Sequence, residues 1–137
     1  MAARIATSAL AALFLVAAGC GDSQPDDVVR DHFAAIVEHD GKRACDQLSA
    51  PLRADIERAP AARGAGRNCA DIMELAAGLN PSLTQRKVED LKISVQRDGD
   101  RARATLENPL SRRDETLRLA RDGARWRISR LQTRPRP

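Results

Sequence analysis

Tyrosine is missing from the 137 residues, which hold one Trp and two Phe. Phe14 lies in an N-terminal apolar run, so Phe33 and Trp126 are the aromatics of the remaining chain. A core with so few rings rests on aliphatic contacts and is modest in size. Single-stranded nucleic acid is bound on stacking aromatics, and their scarcity makes it a poor partner. Metal chemistry is equally short of ligands. His32 and His39 stand seven residues apart, ~10.5 Å along a helix, whereas zinc needs nitrogens at ~2 Å. Neither His-x-x-x-His nor Cys-x-x-Cys occurs, so no metal or other cofactor is expected. There is also no Gly-x-Ser-x-Gly elbow, no phosphate loop, and no serine spaced to meet a base. The expected protein is not an enzyme. Lysine is scarce too, three against 20 arginines, a bias that reflects a GC-rich genome rather than chemistry.

What is present begins with a leader. Met1-Ala2-Ala3-Arg4 is a short positive segment, Ile5 to Val16 an apolar core, and Ala17-Ala18-Gly19 a run of small residues. The uncharged stretch from Ile5 to Gly19 spans 15 residues, short of the ~20 that a transmembrane helix requires. It ends on Cys20, and Ala17-Ala18-Gly19-Cys20 resembles the lipobox of bacterial lipoproteins, with Ala where Leu is usual. That resemblance implies removal of residues 1–19 and a diacylglyceryl thioether on Cys20. Two acyl chains hold a protein stably on a bilayer. The expected location is the cell membrane, lipid-anchored on its extracytoplasmic side. An ordinary secreted protein whose Cys20 pairs with another thiol is the alternative.

Two cysteines remain, Cys45 and Cys69. Outside the cytoplasm an even remainder reads as a disulfide, with two separate buried thiols as the alternative. Charge is uneven along the chain. Residues 20–90 carry nine basic and 13 acidic side chains, a balance of −4, and residues 91–137 carry 13 basic and six acidic, a balance of +7. Such asymmetry marks either a solvated face or a surface that meets anionic lipid or polymer.

The 118 residues from Cys20 onward suit one domain. Residues 20–24 form a short tether. Ser23 and Asp26, flanking Pro25, have the spacing of a capping box. Val29, Phe33, Ile36 and Val37 then recur at helical spacing, and Asp40-Gly41 closes this helix. A second helix is expected from Lys42 to Ser49, with Pro51 opening a continuation through Leu52 and Ile56. Residues 59–67 read as a flexible loop, and Asn68 as the cap of a third helix, Cys69 to Leu79. The period then changes to two. Leu91, Ile93 and Val95 alternate with polar residues, Asp98-Gly99 makes a hairpin turn, and Ala102, Ala104 and Leu106 return. Asn108-Pro109 breaks that strand. Leu117 and Leu119 begin another, Asp122-Gly123 turns, and Trp126 and Ile128 alternate on the last. Helices first and an antiparallel meander second give the α+β class, with the helices packed on one face of the sheet. The domain is expected over 25–131, with 132–137 a disordered tail.

This order resembles the nuclear-transport-factor-2-like superfamily, which implies a curved, cone-like roll. The resemblance is carried by Asp26 to His39, Val88 to Glu107, and Asp114 to Leu131 with its Asp-Gly-x-x-Trp-x-Ile turn. It implies a pocket between the sheet and the first helix, where His32, Phe33 and Trp126 would be lining residues. Enzymes of the superfamily set a carboxylate or histidine beside an oxyanion donor there; with no Tyr, half of one such pair is missing. The main expectation is a non-catalytic domain that binds a small apolar ligand or a partner protein. An isomerase- or cyclase-like enzyme with His32 as base is the alternative, and His32 as a hydrogen-bonded core histidine is its bland counterpart. A third reading rests on the outward sheet face, where Lys92, Arg101, Arg103, Arg118, Arg125 and Arg127 are expected. That face would attract anionic membrane or polymer, or meet a second copy of the chain.

Overall fold

The inner face of a four-stranded antiparallel sheet, in the order β1-β2-β3-β4, carries the core. The strands are β1 (Ile93–Asp98), β2 (Arg101–Leu106), β3 (Arg113–Asp122) and β4 (Arg125–Pro135). Five helices precede them: α1 (Pro25–Val37), α2 (Gly41–Asp46), α3 (Ala50–Arg58), α4 (Cys69–Leu79) and α5 (Gln85–Glu89). The computed structural model describes residues 22–59, 68–110 and 113–135. The leader, Cys20, most of the expected loop at 59–67 and the last two residues lie outside them. The fold is α+β, with the helices on one face of a curved sheet, as the change of period implies. Among the described residues, no helix is long and apolar enough to cross a membrane.

Alternation along the strands sets the layers. Ala102, Ala104 and Leu106 on β2, Leu117 and Leu119 on β3, and Trp126 and Ile128 on β4 are all buried. Helix α1 lies over this face with Val28, Val29, Ala35 and Ile36 buried. Its buried stripe also takes in Pro25 and His32, while Phe33, expected at the centre, is only partly buried at the margin of the core. Ala35 on α1 and Ala104 on β2 are both fully enclosed.

Helix boundaries differ from the sequence expectation for local reasons. Pro25 takes the first helical position, so Gln24 is the cap, and its side chain makes no capping bond. Ser23 therefore does not form the expected capping box; its Oγ accepts the Trp126 backbone N–H at 2.9 Å. Helix α1 stops at Val37, and His39 turns the chain with a φ of +57°. Asp40 then begins α2 rather than ending α1, its Oδ1 accepting from the Arg43 N–H at 3.0 Å. Helix α2 ends at Asp46 because the next residues pair with β4. The Ile128 N–H donates to the Gln47 carbonyl and the Ser49 N–H to the Ile128 carbonyl, both at 2.8 Å. Ser49 then caps α3, accepting from the Leu52 N–H at 3.3 Å. Asn68 caps α4 as expected.

Helix α5 is not anticipated. It has five residues and one buried side chain, Val88, too little for a periodic signal. Its C-terminal carbonyls are gathered by Arg30 of α1, which donates to Val88 at 2.9 Å and to the Leu91 carbonyl at 2.8 Å. A cation at a helix C-terminus also meets its partial negative charge.

The Cys45–Cys69 disulfide ties α2 to the first turn of α4. Closing a loop of this length contributes roughly 3 kcal/mol on the chain-entropy account. Beside it, Gly41 lets the helices touch: a Cβ there would sit 2.1 Å from the Ala70 carbonyl oxygen. Gly41→Ala is expected to destabilise the fold by about 1–3 kcal/mol through overpacking, although alanine is the better helix former. Urea unfolding measures it. An unchanged or higher midpoint would show that the close approach does not matter.

Candidate functional site

The outer face of the sheet is the side that the helices leave open. Register places Gln96, Arg103, Arg118 and Arg130 in one line across all four strands. Neighbouring strands are ~4.8 Å apart, so three guanidinium-bearing residues stand side by side. Arg101, two residues before Arg103, sits opposite Asp98 on β1 and Ala120 on β3. These side chains surround a hollow of about 680 Å³, with Ser129 on its wall. No guanidinium of Arg101, Arg103, Arg118 or Arg130 makes an ion pair or hydrogen bond with a described residue. Among the described residues, Asp98 is the one carboxylate lining the hollow. Directly opposed like charges destabilise a sheet by roughly 0.2–1 kcal/mol per pair, and Arg118 is opposed on both sides.

The expected basic face is therefore only partly assembled as a site. Arg101, Arg103 and Arg118 line the hollow. Lys92 precedes β1 and is fixed by its backbone, whose N–H donates to Asn108 Oδ1 at 2.5 Å. Arg125 lies at the turn end, opposite Asp122. Arg127 bends off the face and donates to the Asp46 backbone carbonyl. Arg130 takes their place, although strict alternation from Trp126 and Ile128 would turn it inward. A register shift falls between Arg118 and Leu119, where Arg118 pairs with Arg130 and Leu119 with Ile128. Ser129 is the extra residue, and its Oγ donates to the Arg118 carbonyl at 3.2 Å. The signal in the sequence is Leu131, which breaks the apolar rhythm by one place.

His32 and Trp126 are buried, and Phe33 is partly buried against the core. None of them lines the arginine hollow or a smaller one of about 210 Å³ near the C-terminal ends of α1 and α4. His32 is 2% exposed, and its Nδ1 donates to the Ala44 carbonyl at 2.9 Å. Phe33 meets its ring edge-on, with centroids 5.4 Å apart. Trp126 lies in the core with the Arg97 guanidinium 5.3 Å from its ring centroid. No buried side-chain polar atom among the described residues lacks a partner, and none of their His, Cys, Asp and Glu side chains group to hold a metal ion.

Burial holds the His32 imidazole below its ordinary value of 6.5, against the opposing pull of the Ala44 hydrogen bond and the Asp31 charge. The folded protein thus favours neutral imidazole. Its contribution is complete above pH ~6.5 and falls as pH drops through that value, where the unfolded chain binds the extra proton. The slope is at most about 1.4 kcal/mol per pH unit. Urea unfolding between pH 7.5 and 5 should show the fall in the native protein and a flatter profile in His32→Gln. Parallel profiles would place the titration elsewhere.

Compared with known proteins, the chain matches no protein-family model, no curated protein and no solved structure.

Proposed function

We propose that this chain is a lipid-anchored, extracytoplasmic, non-catalytic binding domain of the nuclear-transport-factor-2-like kind, whose open sheet face takes an anionic ligand. The observation that carries the reading is the hollow lined by Arg101, Arg103, Arg118 and Arg130, none of which forms an ion pair with a described residue, although Asp98 stands opposite Arg101. Opposed arginines cost stability, and a sheet retains them against that cost when a ligand supplies the missing counter-charge. The cationic lining favours an anion over a small apolar ligand. It also disfavours two copies meeting through this face, because each would bring the same sign. His32 supports the bland reading of a core histidine, since its Nδ1 is committed to a backbone carbonyl.

Chromatography on phosphocellulose tests the face. Arg103→Ala/Arg118→Ala/Arg130→Ala should elute at clearly lower salt than the native chain, because each phosphate contact adds to the salt dependence. Arg53→Ala/Arg86→Ala/Lys87→Ala removes the same charge elsewhere and should shift elution much less. Equal shifts would reduce the effect to net charge and sink the proposal.

The anchor is tested separately. Expressed in a bacterium that processes lipoproteins, the native chain should partition into detergent and carry an acylated Cys20 by mass spectrometry. Cys20→Ser should stay in the aqueous phase. An intact Met1 or an unmodified Cys20 thiol in the native product would remove the anchor from the reading.

A further inference from the structure

Residues Asp22 to Gln24 are clasped to the turn end of the sheet by three strands. Asp22 pairs with Arg121 of β3 at 2.8 Å, Ser23 Oγ accepts the Trp126 N–H of β4 at 2.9 Å, and Gln24 Oε1 accepts from Arg97 of β1 at 2.8 Å. Register sets Arg97 opposite Ala102 and Arg121 opposite Trp126, both of which are buried. The clasp therefore holds the helix-covered side of the sheet, and the arginine hollow opens on the other. Cys20 is two residues before Asp22, a reach of at most ~7 Å. A lipid on Cys20 would hold the clasped rim near the bilayer, with the arginine hollow opening from the opposite face of the sheet.

The hollow itself selects among soluble anions. A stable protein partner buries about 800 Å² on each side around an apolar core, and this hollow sets its cations among Gln96, Asp98 and Ser129, with Ala102, Leu119 and Ala120 as its apolar part. Among the described residues no aromatic lines it, and stacking aromatics are what single-stranded nucleic acid uses. Arginines ~4.8 Å apart across strands and ~6.7 Å apart along β2 match closely repeated charge on a thin backbone, and their planar forks suit phosphate oxygens.

We infer that the arginine hollow holds a linear phosphate-bearing polymer that runs beside the membrane, and not the headgroups of the bilayer to which the chain is anchored. The inference rests on the lipid-anchored, anion-binding reading above.

The test uses the acylated chain in neutral phosphatidylcholine vesicles. Long-chain inorganic polyphosphate should co-sediment with them at least tenfold more tightly than tripolyphosphate, and Arg103→Ala/Arg118→Ala/Arg130→Ala should lose at least tenfold of that affinity. In a second arm, a fluorophore on Thr105→Cys, an exposed position of the same face, reports contact in phosphatidylglycerol vesicles. It should be quenched by iodide and not by spin-labelled lipid. Quenching from the lipid would make the bilayer the occupant and overturn the inference, while the anion-binding reading stands. Polyphosphate binding that is absent, or indifferent to the three arginines, would also overturn it. The phosphocellulose comparison then decides whether the broader reading falls as well.

Discussion

The single register shift between β3 and β4 determines what each face of the sheet presents. Before it, Trp126 and Ile128 face the helices; after it, Leu131 shares a face with Leu117, its partner in register. Without Ser129 as the extra residue, Arg130 would share the face of Trp126 and Ile128. A buried, unpaired guanidinium costs several kcal/mol, so a straight strand is not an available alternative for this sequence. One inserted residue thus places Arg130 beside Arg118 on the outer face, while Leu131 stays 44% exposed at the margin of the sheet. The hydroxyl of Ser129 returns a hydrogen bond to β3 where the ladder is disturbed.

The helical layer follows from the other side of the same sheet. Ala102 and Ala104 on β2 are small, and the fully buried side chains of α1 include Val29 and Ala35 rather than rings. So shallow a layer needs pins. Arg43 joins α2 to α1 through Asp31 and Glu38, Arg30 joins α1 to α5, and the disulfide joins α2 to α4. Half-exposed ion pairs such as those of Arg43 are worth little singly. The covalent link and the Gly41 contact beside it carry more of the restraint, and they do so where α2 gives way to the segment that pairs with β4.

Much of this was legible in the sequence where one signal acted alone. The cap at Asn68, the turns at Gly99 and Gly123, the disulfide and the alternation over Ile93–Leu106 are local or strictly periodic. Errors arose where two signals competed. Ser23 has the chemistry of a cap, yet the proline beside it moved the cap on by one residue and freed the hydroxyl for β4. Residues 47–49 look helical, but Ile128 claims their backbone. Helix α5 has one buried side chain and owes its position to a guanidinium 58 residues away. β3 starts at Arg113 instead of Leu117, and that longer partner carries β4 on to Pro135, past the Leu131 at which the sequence reading closes the domain. The arginine face was visible as alternation on β2 and β3, while Arg130 was not, since alternation cannot reveal a bulge.

Two requirements therefore meet on one sheet. The inner face must be apolar and small enough for α1 to close over it, and every residue that meets this rule places its neighbour on the outer face. On β2 those neighbours are Arg101 and Arg103; on β3 the corresponding residue is Arg118. A fold that asked only for solubility would mix acids among them, since cross-strand pairs of opposite charge stabilise where like pairs do not. The chain has 19 acidic residues to draw on, and most of them sit on the helices and turns. Opposed arginines on the outer face are thus a departure from the best sheet that this composition allows. Arg101, Arg103, Arg118 and Arg130 are all exposed, so the sheet tolerates this departure by leaving their charge to solvent rather than to a neighbouring strand.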